Sequence, residues 1–330
     1  MNEHRIVTRQ QWLAEGWTDS ELRSRLRDGR LERIAPGTYI SQVGFRDEPW
    51  ETRHRVAVAA AAHRSPELVM SHQSAAVLHG LPVVRGRPAE VHQTRPGRGG
   101  SLRSDHRRVH AGILTDTDRT TIDGIAVTTV ARTVVDIART CSEQTSVPIA
   151  DAALQRRLVA PEVVGAVLHR ARSTAGVAAA RRALRQVDGR SESPGETLTR
   201  LIITRPLLPV PALQAEIRDE RGRFVGRVDL ALPELGLLLE FDGEVKYRGL
   251  VKPGQDAVRV VLDEKRREER LSELGWLVIR VIWSDLRDES RLVERVRSAG
   301  AARVRLVAAG SIRGTITVPP AITLANFLGQ

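Results

Sequence analysis

The sequence predicts a multidomain α/β protein, and three observations carry that prediction. The chain has 330 residues, 41% of them apolar, with a mean hydropathy of −0.24, which describes a globular protein long enough for two or three domains. Its apolar residues change period several times along the chain, from helical to strand-like spacing. Buried-type runs such as FVGRVDLALPE, LLLEFDGEVKY and WLVIRVIW are separated by a charged helical text, LDEKRREERLSEL. A single cysteine, Cys141, excludes a disulfide framework or a CxxC zinc site, and MNEHRIVTRQ has no apolar signal core. The run from Leu235 to Leu239 falls far short of the roughly 20 residues a membrane helix needs. The expectation is a cytoplasmic protein with no membrane partner.

Residues 1–50 form the first expected domain. A helix from about Thr8 to Glu15 precedes Thr18-Asp19-Ser20-Glu21, where Thr18 caps a second helix, Glu21 completes a capping box, and Leu22 and Leu26 recur at helical spacing. Gly29 ends that helix, and LERIAPGTYI reads as two short strands around the Pro36-Gly37 turn. Helix, turn, helix and hairpin is the order of a winged helix-turn-helix, whose second helix would offer Arg23, Arg25, Arg27 and Arg30 to DNA. Because these arginines alternate with Leu and Ser, not all of them face the same way.

Residues 51–190 read as a mostly helical middle region of mixed α/β character. An Ala-rich helix (55–63) leads to SHQSAAVLHGLPV, a helix capped by Ser71 and stopped by Gly80 and Pro82. His72 and His79 share a face of it, but seven residues span about 10 Å along a helix, too far for one ion without further ligands. Packing roles are expected for both. IDGIAVTTVARTVVDIAR reads as a strand followed by a helix, and two or three further helices are expected between 149 and 187.

Charge is unevenly spread. The chain carries 51 basic and 40 acidic side chains, a formal charge of +11. Residues 1–50 balance, whereas residues 51–110 carry 10 basic side chains against 4 acidic ones. Within that stretch RGRPAEVHQTRPGRGGSLRSDHRRVH reads as a mobile cationic loop, in which Arg95, Arg98, Arg103, Arg107 and Arg108 could clamp a phosphate backbone. Only three basic residues are lysines, Lys246, Lys252 and Lys265, all within one twenty-residue stretch. Lysine differs from arginine in being a compact donor with a tunable pKa, so the cluster is a chemical clue.

Residues 191–300 carry the strongest chemical pattern, followed by a tail, 301–330, expected to be loosely packed or covered by a partner. Ser193-Pro194-Gly195-Glu196 begins a helix. Glu240 and Asp242 are two apart in a strand and share a side, and Asp229 lies a hairpin's distance before Glu240. Carboxylates converging at a strand end must be paired or hold a cation, and hard oxygens suit Mg2+ or Mn2+. A divalent ion on Asp229, Glu240 and Asp242, with Lys246 or Lys265 to help activate water, is a general arrangement for cleaving phosphodiesters.

Two resemblances accompany these readings. RLERIAPGTYI, SHQSAAVLHGLPV and VTTVARTVVDIAR make residues 5–140 similar to the N-terminal regions of AbiE-type antitoxin proteins. That likeness implies a promoter-binding winged helix and restraint of a cognate toxin. VDLALPELGLLLEFDGEVKY with EKRREERLSELGWLVIRV makes residues 190–290 resemble the PD-(D/E)XK nuclease superfamily, close to very-short-patch-repair endonucleases. It implies a restriction-endonuclease-like α/β sandwich around a mixed sheet, with Glu196 as helix carboxylate and Asp229 and Glu240 as metal ligands. The departure is Asp242 at the superfamily's usual lysine position, which leaves the ammonium to Lys246 or Lys265. Two functions follow: a metal-dependent DNA endonuclease with a winged-helix module, or a non-catalytic DNA-binding regulator of antitoxin type.

Overall fold

The computed structural model describes residues 6–35, 37–41, 45–97, 99–204, 208–243 and 257–328. They fall into two units, Met1–Thr145 with Val163–Arg181, and Ser146–Glu162 with Arg182–Gln330.

The first unit begins with β1 (Ile6–Thr8), α1 (Arg9–Ala14), α2 (Asp19–Arg27), β2 (Glu32–Ala35) and β3 (Thr38–Ile40). Both helices start in capping boxes. The Thr8 hydroxyl accepts from Gln11 N at 3.1 Å while Gln11 accepts from Thr8 N at 2.9 Å. Thr18 and Glu21 repeat the exchange at 3.2 and 2.8 Å. After α2 the chain turns at Gly29 with φ +70°, a conformation that glycine adopts without strain. The strands form an antiparallel sheet in the order β1-β3-β2, packed on Val7, Trp12, Leu22, Leu31 and Tyr39. Helix, turn, helix and hairpin therefore stand in the expected order.

The unit continues through α3 (Trp50–Arg64), β4 (Val69–Met70), α4 (His72–Leu78), β5 (Val91–Pro96), β6 (Leu102–Ser104), β7 (Arg107–Gly112), β8 (Arg119–Ile122), β9 (Ile125–Thr128) and α5 (Val130–Thr140). Six strands form one sheet in the order β6-β7-β5-β4-β9-β8. Its strands hold two to six residues each, too short for a period-2 signal to stand out in a text that reads as helical. The cationic segment expected to be a mobile loop is largely sheet: β5 runs parallel to β7 from Val91 opposite Arg107 to Pro96 opposite Gly112. Buried Val91 and Val109 hold it there, and their apolar area outweighs the Gly and Arg content around them. Along the chain three helices follow: α6 (Glu143–Gln155), mostly of the second unit, α7 (Pro161–Arg170), mostly of the first, and α8 (Val177–Leu184), divided between the two.

The second unit contains α9 (Pro194–Thr204), β10 (Ala212–Arg218), β11 (Phe224–Leu232), β12 (Leu237–Phe241), α10 (Ala257–Glu273), β13 (Leu277–Val281), α11 (Glu289–Ala308) and β14 (Thr315–Thr317). The sheet order is β13-β12-β11-β10-β14. β12 and β13 are parallel and the other pairs antiparallel, so the sheet is mixed. Leu271, Leu274 and Trp276 pack against Ala215, Ile217, Val228 and Leu238 to form a core. The tail is part of this unit and not a loose extension. β14 adds to the β10 edge with Ile316 opposite Ile217, and Leu324 and Leu328 are buried. The β10 edge that receives β14 lies about a hundred residues earlier in the chain, so this pairing cannot be read from the tail itself. Among the described residues, no helix is long and apolar enough to cross a membrane.

Candidate functional site

In the helix-turn-helix the three arginines of α2 separate by helical phase, and Arg30 lies in the turn after it. Arg23, Arg27 and Arg30 are exposed. Arg25 is half-buried, its guanidinium 4.4 Å from the Trp17 ring centre and 5.4 Å from that of Trp12. It covers the module's own core through cation–π contacts. Arg9 and Asp19 form an ion pair at 2.5 Å beside the start of α2.

Of the cationic segment, Arg95 and Arg103 are exposed, and Arg103 pairs with Glu90 at 3.0 Å. Arg107 donates to the Ser65 hydroxyl at 3.3 Å, and Arg108 lies half-buried opposite His92 in the β5–β7 register. Arg98 lies outside the described residues.

In the second unit the site is built on α9, β11 and β12. Ser193 accepts from Glu196 N at 3.2 Å, so the cap expected there forms. The Glu196 carboxylate reaches elsewhere: its Oε2 accepts from Glu192 N and from the Gln214 side-chain amide, both at 2.8 Å. Gln214 on β10 sits between the pairs Leu213–Leu230 and Ala215–Val228, opposite Asp229, with φ +51°. Such a conformation is costly for a non-glycine residue. Burial, and next the negative charge of Asp229, push the Glu196 carboxyl up to about 7.

Asp229 and Glu240 lie at the end of the β11–β12 hairpin away from its turn, one step past the Leu230–Leu239 pair. Asp229 Oδ2 accepts from Phe241 N at 2.7 Å, supplying with a side chain the acceptor that the ladder would supply with a carbonyl. Gly195 permits the close approach of α9 to β12, because a Cβ there would lie 2.0 Å from the Phe241 ring.

Glu240 has a different partner. Arg267 on α10 donates to both of its oxygens, at 2.7 and 2.9 Å, and also to Glu264 at 2.7 and 3.0 Å. These carboxylates hold the guanidinium charge more firmly than in water, against the penalty of burial. Arg280 extends the network to Glu264 and Glu268 at 2.9 and 3.1 Å. Lys265 is exposed; two positions before Arg267, it points about 200° away around the helix. Asp242, half-buried, follows β12 and donates its backbone N–H to Val281 O at 2.8 Å. Lys246 and Lys252 lie outside the described residues. The structure thus brings Glu196 near enough to Asp229 to feel its charge and turns Glu240 onto an arginine. Arg267 stood among the cations of the charged helix, but the choice of Arg267 over Lys265 depends on the rotational setting of α10. Nothing in the strand text ALQAEIR marked Gln214.

The helix-turn-helix and its hairpin are where a known family enters. Residues 1–42 match the family described as transcriptional regulator, AbiEi antitoxin. The chain is also similar to two uncharacterized proteins of Mycobacterium tuberculosis, from strains CDC 1551 / Oshkosh and ATCC 25618 / H37Rv. Each is 29% identical over 295 residues, covering 86% of this chain and 100% of the relative. The matched segment ends just after β3, so it spans the helix-turn-helix and hairpin.

Proposed function

We propose that this protein is a DNA-binding transcriptional regulator of antitoxin type, whose N-terminal module docks α2 on DNA. The observation that carries the reading is the exposure of Arg23, Arg27 and Arg30 on α2 and the turn after it, within the segment that matches the AbiEi regulator family. Arginines on the second helix of such a module suit phosphates and guanine edges. The module itself has no net charge, so long-range attraction to the duplex falls to other segments, with Arg95 and Arg103 as exposed candidates. A cognate toxin protein is the second partner this reading implies. Gel-shift titration with the DNA upstream of its own coding region tests it: replacing Arg23 and Arg27 together by Ala is expected to weaken binding on the order of tenfold or more. Unchanged affinity would remove the winged helix from the account.

A second reading, a metal-dependent endonuclease, is favoured by the gathering of Glu196 and Asp229 at one end of the sheet. Burial and the charge of Asp229 raise the Glu196 carboxyl, a cation between the two would relieve that repulsion, and their hard oxygens fit Mg2+ or Mn2+. The donor set fits in part, since Arg267 already neutralises Glu240. Asp229 and Glu196 would hold the ion, with Glu240 and Asp242 as further ligands once Arg267 moves away. Bound there, a divalent ion supplies a Lewis acid for phosphodiester hydrolysis. Gln214 orients Glu196, and Phe241 N–H fixes Asp229. Plasmid and single-stranded DNA incubated with Mg2+ or Mn2+ decide this reading: cleavage abolished by Asp229→Ala and by Glu240→Ala supports it, and no cleavage by the unmodified protein rejects it.

A further inference from the structure

The first unit contains a cluster of side chains that neither reading uses. His72 at the start of α4, His92 on β5 and His110 on β7 each offer a ring nitrogen, and these atoms lie within 4.8 Å of one another. His72 and His92 are 4% and 5% exposed. His110 Nε2 and His92 Nδ1 are 3.2 Å apart, and the His72 and His110 rings stack at 3.8 Å. The sequence offered His72 and His79 as the pair to weigh; instead His79 donates to the Thr128 carbonyl at 2.7 Å, and His72 meets two strands that are distant in sequence.

We propose that His72, His92 and His110 form a binding site for a divalent transition-metal ion, with Zn2+ the natural class. Three imidazoles without a carboxylate or thiolate are a borderline-soft nitrogen set that suits Zn2+, Co2+ or Ni2+ over Mg2+. Tetrahedral zinc at about 2.0–2.1 Å from each nitrogen keeps its ligands about 3.3 Å apart. The His92–His110 pair already has that separation, and His72 has to leave its stack on His110 to aim a nitrogen at the same point.

The surroundings serve this arrangement. Ser71 is the cap residue of α4, yet its hydroxyl makes no capping bond; it lies 3.0 Å from His72 Nδ1 instead. A side chain diverted from its helix to orient a ring nitrogen is the kind of outer contact that metal-bound histidines have. An Nδ1–H donated to Ser71 would leave Nε2 as the His72 nitrogen for the ion. His72 also has φ +52°, an unfavourable backbone conformation for a side chain of this size, of the sort kept where a group must be aimed. Ser71 N donates to His92 O at 3.1 Å, tying the turn before α4 to β5. Nearby, Arg103, Arg132 and Arg139 are paired with Glu90, Asp118 and Asp136, while Arg108, opposite His92, adds a positive charge that the bound ion must tolerate.

Titration of the untagged full chain with Co2+ tests the site. One equivalent with intense visible absorption, displaced by Zn2+, is expected for a nitrogen-ligated ion of low coordination number. His110→Gln, at the half-exposed member, and His92→Gln are each expected to lower Co2+ affinity about 100-fold, and Ser71→Ala on the order of 10-fold. Asp229→Ala should leave it unchanged, which separates this site from the carboxylates of the second unit. Weak absorption typical of six oxygen ligands, or the same spectrum and affinity in both histidine variants, would overturn the proposal. If a variant fails to fold, the spectrum of the unmodified chain decides by itself.

Discussion

Arg267 holds both carboxylate oxygens of Glu240, at 2.7 and 2.9 Å, in a bidentate pair joining α10 to β12. Both side chains are less than one-fifth exposed. Removing one partner leaves the other charge half-desolvated, so Arg267→Ala is expected to destabilise the protein by about 2–4 kcal/mol, read as a lower urea midpoint. Arg267→Lys should recover only part, because an ammonium cannot match the two-pronged geometry. A midpoint within error of the unmodified protein for Arg267→Ala would show that the pair is worth nothing in solution.

The Glu196 carboxyl, raised to about 7 by burial and by Asp229, makes stability pH-dependent in a definite direction. The folded state keeps its proton where the unfolded chain, near 4.5, has lost it. Its contribution is therefore full below about 4.5 and declines as pH rises towards about 7. Glu196→Gln keeps an oxygen acceptor and abolishes this slope. At pH 8 and without divalent ions, the variant is expected to be more stable on the order of 1–3 kcal/mol. Equal or lower stability at pH 8 would contradict the assignment.

Gly195 faces the Phe241 ring with no room for a methyl group. Gly195→Ala should push that ring away and disturb the strand end whose N–H anchors Asp229. The expected cost is about 1–3 kcal/mol, measured by thermal or urea unfolding. A variant as stable as the parent would mean that α9 and β12 shift apart at no cost.

The buried histidines act in the opposite sense to Glu196. Burial lowers His54 and His110 to about 4, His92 to about 3, and His72 well below its ordinary value. Each is neutral when folded and protonates near 6.5 when unfolded, so the stability they contribute is full above about 6.5 and lost as pH falls. Between pH 7.5 and 5 the first unit is expected to lose on the order of 2–5 kcal/mol. Tryptophan fluorescence, three of whose five emitters (Trp12, Trp17 and Trp50) lie in that unit, follows it against pH. A flat profile across this window would show the histidines to be solvated.

Much of the fold is legible along the chain because its determinants are local. Thr18 with Glu21, Gly29 after α2, and the apolar runs of β11, β12 and β13 act within a few residues, so period and capping chemistry reveal them. The six-stranded sheet is not legible, since strands as short as Val69–Met70 owe their existence to neighbours such as Thr94 and Val127. The exposed arginines of α2 could be read as a group, but the stacking of Arg25 on Trp17 could not.

By itself, then, the sequence determined the helix-turn-helix with its hairpin, the run of strands and charged helix from β11 to β13, and which carboxylates lie along them. Only tertiary structure decided which partner each side chain meets. Glu240 pairs with Arg267 because the rotational setting of α10 turns that residue, and not Lys265, towards β12. His72, His92 and His110 converge because one helix start and two strands meet there, on residues up to 38 positions apart. Hydrophobic burial fixes those placements and acts on surface area without regard to order along the chain.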